Sequence, residues 1–366
     1  MPTTRELLAE ASDRLQRAGV PSPQVDAELL LAHVTGRPRG LLRMSGTAVP
    51  DPDAARFVTL VERRAGRIPL QHLTGRAPFR HIEVRVGPGV FIPRPETELL
   101  VDAVLEHLAP ASAASGAAPA RQPVMIVDLC AGSAALAISL ALEVPGSRVA
   151  AVEVSADALT WAADNVADHA GAISAAGSRL ELVAWDATTA ADPDGPLAGL
   201  RGQVDVVVSN PPYVPDEAVP REPEVRDHDP ALALYGGADG LDVIRSLARQ
   251  AADLLRPGGL LVIEHADLQG ERAGSAGVPG VLRHQQDPAA PQDPAAQQDP
   301  AAPHPPAAFR DVADHEDLAG LPRYTSAIRA EPAVGGAGGG SSGREEPGGY
   351  VPQPTQADRP GGRILR

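Results

Sequence analysis

The sequence predicts an α/β fold, a mostly parallel sheet behind a small helical domain, and three observations carry that expectation. Short, almost wholly apolar runs such as Val204-Asp205-Val206-Val207-Val208-Ser209 read as strands buried on both faces. Between residues 123 and 264 these runs alternate with helix-length segments. Each run stops on a polar residue, in turn Asp128, Glu153, Asp186 and Asn210. Polar groups thereby gather at the carboxyl edge of the sheet, where open α/β folds bind ligands.

Composition narrows the function classes. The 366 residues, 43% of them hydrophobic, are enough for two or three domains, and with 3% aromatics the core must come from Leu, Val, Ile and Ala. A net charge of −15 argues against a broad nucleic-acid surface. Residues 1–80 nevertheless carry more Arg than acids, which suits a docking role for the front end. One cysteine, Cys130, allows no intramolecular disulfide and no cysteine-based zinc site. Residues 1–20 lack the apolar core of a signal peptide, and no apolar run approaches membrane-spanning length. The expectation is a soluble, cytoplasmic protein without a metal.

The front domain is expected over residues 1–72. Leu8, Ala11, Leu15 and Ala18 recur at helical spacing over 5–18, Thr3 and Glu6 form a capping-box pattern, and Gly19 is a stop. Ser22-Pro23 opens a second helix that runs to about Thr35-Gly36, and Asp51-Pro52 opens a third. Residues 73–108 hold a hairpin over 78–92, bent at Gly87-Pro88-Gly89, and a connecting helix through Leu99, Val101, Val104 and Leu108. Between them, Pro93 and Pro95 stiffen the chain around Arg94, which marks that guanidinium as a substrate-binding candidate. Residues 109–122, nearly all Ala, Pro, Ser and Gly, read as a flexible linker.

The second domain is expected over residues 123–329. Strand 124–129 feeds the small-residue turn Cys130-Ala131-Gly132-Ser133-Ala134 and then a helix, a way of bringing a nucleotide-like ligand against backbone N–H groups. Glu153 at the next strand tip can accept ribose hydroxyls, and Asp186 at the third can accept from an adenine amino group. The fourth strand stops on Asn210-Pro211-Pro212-Tyr213, since neither proline has an N–H for a ladder. Asn210 Oδ1 and the Pro211 carbonyl could each accept one hydrogen of a planar NH2 group while Tyr213 packs on its plane. Such acceptors favour pyramidalisation of an amide nitrogen and aim its lone pair at an electrophile. The acidic, proline-rich stretch 214–234 reads as a lid over the substrate. A helix ending at Arg256-Pro257-Gly258-Gly259 and a fifth strand, 260–264, follow. Three Gln-Asp-Pro-Ala-Ala repeats then make 273–307 a low-complexity insertion, expected to be disordered or extended. Segments 309–315 and 323–329 read as a closing strand pair, and 330–366 as a disordered tail.

The order Asp-Leu-x-x-Gly-Ser, Glu153, Asp186 and Asn-Pro-Pro-Tyr resembles the class I S-adenosylmethionine-dependent methyltransferases that methylate amino groups. With Phe91-Ile92-Pro93-Arg94-Pro95-Glu96-Thr97-Glu98 upstream and the helical front domain, the chain resembles the HemK family of protein-glutamine methyltransferases. The resemblance implies a Rossmann-like seven-stranded sheet, S-adenosylmethionine as cofactor, and peptide chain release factors, modified on the glutamine of Gly-Gly-Gln, as partners. It places the turn Cys130 to Ala134 at the cofactor's methionine part, Glu153 at the ribose and Asp186 with Ala187 beside adenine, and it counts Asp128 among the cofactor-binding residues. Asn210, Pro211, Pro212 and Tyr213 then hold the substrate glutamine, with Asn210 also near the cofactor. Ala134 stands where the family turn has its last glycine, so its β-carbon is expected to crowd the cofactor or to force a positive φ. Trp185 precedes the adenine-side Asp, whereas the family often has Trp after it. A ribosomal-protein glutamine or a nucleic-acid adenine remains open as acceptor, as does a catalytically silent binding module.

Overall fold

The computed structural model describes residues 1–44, 46–109, 123–287 and 307–331. Most of the expected linker (110–122), most of the repeats (288–306) and the tail from 332 lie outside the described residues.

Among the described residues the front domain has five helices: α1 (Thr4–Arg17), α2 (Pro23–Thr35), α3 (Arg39–Met44), α4 (Asp51–Ala65) and α5 (Leu70–Thr74). The capping box of α1 forms as expected. Thr3 Oγ1 accepts from the Glu6 N–H at 3.3 Å, and Glu6 Oε2 accepts from the Thr3 N–H at 2.9 Å. Leu7, Ala11 and Leu15 pack on Leu30 and Leu31 of α2 and on Phe57 and Val61 of α4, making a core separate from that of the sheet. Asp51 lies inside α4, with Pro50 in the cap position. Helices α3 and α5, too short to show a period, have no sequence signature.

The sheet contains β3 (Met125–Leu129), β4 (Arg148–Glu153), β5 (Arg179–Ala184), β6 (Val204–Ser209), β7 (Leu255–Glu264), β8 (Phe309–Glu316) and β9 (Pro322–Arg329). Its order is β5-β4-β3-β6-β7-β9-β8, parallel except that β9 runs antiparallel to β7 and β8. Successive side chains point to opposite faces. Ile126, Val206 and Val208 thus pack with α6 (Glu98–Leu108), α7 (Ala135–Glu143) and α8 (Ala156–Ala175). Val127, Val207 and Leu261 pack with α11 (Asp242–Leu254) and α12 (Val278–His284) on the other side.

Three expectations are corrected here. The hairpin β1 (Arg76–Phe79) and β2 (Ile82–Arg85) reverses at Arg80-His81, because Phe79 pairs with Ile82. Arg80 takes φ 49° there, held by its ion pairs to Glu143 at 2.7 Å and Asp102 at 2.8 Å. Gly87-Pro88-Gly89 instead lies against α8, where the Trp161 indole N–H donates to the Pro88 carbonyl at 3.2 Å. Second, the stretch 214–234 is not open loop, since it folds into α9 (Pro223–His228) and α10 (Ala231–Leu234). Third, residues 273–287 are ordered secondary structure for much of their length. Pro279 sits in the first turn of α12, where no helical N–H is lost, and Val278 and Leu282 are buried. At the far side of the repeats, Gln286 bridges Ala307, and Arg329 Nη2 donates to Asp287 at 2.7 Å.

Candidate active site

The strand order reverses at β3, so a crevice opens beyond the carboxyl ends of β3, β4 and β6. It holds a cavity of about 610 Å³, within the range of small-molecule sites. Asp128, Cys130, Ala131, Gly132, Ser133, Glu153, Asp186, Ala187, Asn210, Pro212, Tyr213 and Arg94 all line it, as the sequence leads one to expect. Two expected residues do not. Pro211 is buried behind the wall, and Ala134, fully buried, belongs to the apolar core beneath α7. Ala134 does carry the positive φ expected of it, 63°, and its side chain is buried in that core and is not among the residues that line the cavity.

Register explains how the groups converge. Leu129 is paired with Val152 on one side and Ser209 on the other, which places Cys130 between Glu153 and Asn210. The Ser209 hydroxyl donates to the Leu129 carbonyl at 2.6 Å and ties the two tips together. Gly132 turns the chain with φ 56°, and its N–H donates to Glu153 Oε2 at 2.8 Å. Glu153 Oε1 accepts from the N–H groups of Val154 at 2.9 Å and Ser155 at 2.8 Å. Three backbone donors therefore hold this carboxylate in place at the cavity wall.

Asp128 is buried, and neither of its carboxyl oxygens has a hydrogen-bond partner among the described residues. Burial, and then the neighbouring Glu153, push its titration well above the usual carboxylate range. A cationic group brought beside it would favour its ionised form. Burial also raises the Cys130 thiol, which makes it a packing residue and not a nucleophile. Asp186 Oδ1 accepts from the Thr188 N–H at 2.8 Å and from its hydroxyl at 2.7 Å, so one oxygen is committed to capping its own turn. Trp185 does not line the cavity, and its indole N–H donates to Thr189 Oγ1 at 3.1 Å.

At the tip of β6, Asn210 Nδ2 donates to Thr97 Oγ1 at 3.0 Å. That bond fixes the amide and leaves Oδ1 as its free acceptor. The Tyr213 hydroxyl donates to Glu264 Oε1 at 3.3 Å at the end of β7. Gly240 lies directly under Tyr213 with φ 77°, where a β-carbon would come within 2.2 Å of the Tyr213 carbonyl. Glu264 is 1% exposed, and burial raises it to about 7 despite the Thr97 hydroxyl, Arg323 and Tyr213. Arg94 is partly spent elsewhere. Its Nη2 donates to Asp229 Oδ2 at 2.7 Å, and its guanidinium lies 4.8 Å from the Phe91 ring centroid. It thus anchors the segment between α9 and α10 as well as lining the cavity.

Thr97 and Glu264 are the residues that sequence reasoning did not single out. Thr97 stands inside the upstream proline-flanked segment, where Arg94 drew the attention. Glu264 ends a buried strand on an acid, the same signal that marked Asp128 and Glu153.

Residues 6–75 match the family model described as PrmC N-terminal domain, and residues 117–222 match the one described as methyltransferase small domain. A release factor glutamine methyltransferase of Streptomyces coelicolor is 46% identical over 327 residues, covering 89% of this chain and 98% of that protein. Its namesake in Mycolicibacterium smegmatis is 42% identical, over 90% and 99% of the two chains. One from Bifidobacterium longum is 44% identical over 73% of this chain and 88% of its own.

Proposed function

The chain belongs to the release factor glutamine methyltransferase family, and from that premise we propose how its residues divide the work. The enzyme moves a methyl group from S-adenosylmethionine to the side-chain amide nitrogen of a glutamine in peptide chain release factors, the glutamine of Gly-Gly-Gln. The reading rests most on one observation: an acceptor, Asn210 Oδ1, held at a parallel-strand tip by a bond through its own Nδ2.

S-adenosylmethionine supplies an activated methyl on a positively charged sulfonium, and the residues present fit it. Asp128, a buried acid whose oxygens have no hydrogen-bond partner among the described residues, would take the ammonium of the methionine part. The turn Cys130 to Ser133 faces that part with its backbone, with Ala134 behind it. Glu153 accepts from the ribose hydroxyls, and Asp186 with Ala187 flanks the adenine. Asn210 Oδ1 and a main-chain carbonyl of the Asn-Pro-Pro-Tyr turn accept the two hydrogens of the substrate amide. Tyr213, anchored on Glu264, packs against it. Orientation and electrostatics together do the activating, so neither a strong base nor a metal is needed before attack. The proton leaves afterwards, to water or a nearby acid.

The helical domain serves recognition in this reading. Arg64 and Arg67 both bind Glu224 of α9, so the domain reaches the segment that follows the catalytic turn. Among the described residues no helix is long and apolar enough to cross a membrane. We place the enzyme with its substrate in the cytoplasm, away from membrane and nucleic acid. Incubation with labelled cofactor and purified release factors, followed by mapping of the label, tests the function. Label on the Gly-Gly-Gln glutamine is expected. Label appearing only on nucleic acid or ribosomal protein, or none at all, would overturn it.

A further inference from the structure

Pro211 and Pro212 bring no N–H with which the rest of the protein could tether the turn that carries Asn210 and Tyr213. Its carbonyls are the main-chain groups left for anchoring. That of Pro212 lies over Gly236, where a β-carbon would stand 2.5 Å from it. That of Tyr213 is bound, since Gln269 Nε2 donates to it at 3.0 Å. Gln269 ends the short turn Asp267–Gln269 that follows β7, and it is 7% exposed. Its amide is fully committed. Oε1 accepts from the Ala266 N–H at 3.1 Å, and Nε2 also reaches the Asp239 carbonyl at 3.4 Å. An N–H can only donate and a carbonyl can only accept, so this amide has one orientation, with its hydrogens on two carbonyls. From the same stretch of chain, Glu264 holds the Tyr213 hydroxyl. Tyr213 is thereby held at its side chain and at its main chain by one segment. Gly236, Gly240 and Gln269 do not line the cavity, so this support stands behind the turn.

We propose that Gln269 is a positioning residue for methyl transfer: its amide braces the Tyr213 carbonyl against the Asp239 carbonyl and so fixes where Asn210 Oδ1 and the Tyr213 ring meet the substrate amide. It acts through the turn and touches neither substrate nor cofactor. Two consecutive prolines lock φ, so a shift of the Tyr213 carbonyl travels along the turn to Asn210 and is not absorbed between them. Methyl transfer is sensitive to misplacement of the reacting groups by about 1 Å, a shift that one well-placed main-chain tether prevents. The inference rests on the assignment of Asn210 and Tyr213 to the substrate amide and adds what keeps them in place.

The experiment uses full-length enzyme and a purified release factor, well below the melting temperature of each variant. Gln269→Met fills similar space and lacks both donors. Its single-turnover rate at saturating substrates should fall about tenfold, while cofactor affinity and KM for the release factor stay within about twofold. Gln269→Glu, which sets oxygens against the two carbonyls, should show the same split and serves if the methionine variant does not fold. On the Asn210→Ala background, Gln269→Met should cost clearly less than tenfold, because the acceptor it places is gone. A merely structural contact would lower the melting temperature and leave the rate of the folded enzyme unchanged. That result, beside an impaired Asn210→Ala, overturns the brace alone. So does a loss confined to cofactor affinity or KM, or a further full tenfold loss in the double variant. A fully active Asn210→Ala would instead remove the reading on which the brace rests.

Discussion

Ala134 shows how one β-carbon can matter without touching a ligand. It sits at φ 63°, ψ 19° at the N-cap of α7, a conformation costing a non-glycine residue about 1 kcal/mol. Its methyl is fully buried and recovers about 0.8 kcal/mol of burial, and glycine would add freedom to the unfolded chain. Ala134→Gly should therefore move stability by less than about 1 kcal/mol in either direction. S-adenosylmethionine affinity should stay within about twofold, because the side chain lies outside the cavity wall. Calorimetry on both proteins tests this, and several-fold tighter binding by the variant would put that side chain back at the cofactor. Asn210→Ala touches the reacting group itself. Turnover should fall about 10²-fold or more with cofactor affinity nearly unchanged, as for loss of one polar transition-state contact. Single-turnover kinetics separates the two, and near-normal turnover would count decisively against Asn210.

At the scale of elements, α9 is joined to the helical domain by one carboxylate. Glu224 accepts from Arg64 at 2.7 Å and from Arg67 at 2.8 and 2.6 Å, while Arg64 also binds Asp26 at 2.8 Å. Burial pushes Glu224 up, but bonds from Arg67 and Arg64 outweigh it and hold the group at about 2. Breaking such a half-buried network strands the Arg67 guanidinium and strips Arg64 of one of its two acidic partners. Glu224→Gln should cost about 2–3 kcal/mol and raise KM for the release factor, leaving cofactor affinity alone. Denaturant titration and steady-state kinetics measure the two effects, and an unchanged KM would detach α9 from recognition. The ends of the repeats pose a different case. Gln286 and Ala307 are bridged, and the Ala308 N–H donates to the Gln285 carbonyl at 2.7 Å. Strand neighbours need only a short connection, so replacing 288–306 by a few Gly and Ser residues should change melting temperature and rate little. A large loss of either would reveal contacts made by the replaced segment.

For the molecule as a whole, buried acids set the response to pH. Glu264 at about 7 and Asp229 at about 6 are both raised by burial, and burial raises Asp128 as well. An acid raised on folding keeps its proton in the native state after the unfolded chain has lost it. Stability then falls as pH rises from the unfolded value, near 4.5 for Glu, to the folded one. Glu264 alone accounts for on the order of 3 kcal/mol across that window. Glu224 has the opposite sign, since its contribution is present above about 4.5 and lost as pH falls towards 2. Buried histidines also work against the raised acids below the unfolded value of 6.5, since burial holds His72 down to about 4 and also lowers His107, His265 and His315. The decline due to the acids should therefore show between about pH 6.5 and 7.5, which urea unfolding across that range tests, and stability rising there would contradict the burial of these groups. Glu264→Gln should flatten the slope.

The elements that positioned the site were legible because each is specified locally. Short, almost wholly apolar runs marked β3, β4 and β6, prolines stopped β6 after Asn210, and Thr3 with Glu6 announced α1. The strand-tip residues Asp128, Glu153, Asp186 and Asn210 followed from where those runs end. What tertiary structure alone decided was which groups meet across long separations in the chain. Thr97 reaches Asn210 only because α6 packs on the same sheet face as β3 and β6. Glu264 reaches Tyr213 only because β7 lies next to β6. Arg94 lines the cavity as expected, but no local pattern showed that its guanidinium also meets Asp229, 135 residues away. That the Ala134 side chain is buried in the core beneath α7 is likewise a matter of packing, which a turn sequence does not show. A residue's type and spacing encode the backbone it prefers. Its partners depend on how faces and edges are paired, and that pairing is settled by burial of the whole core.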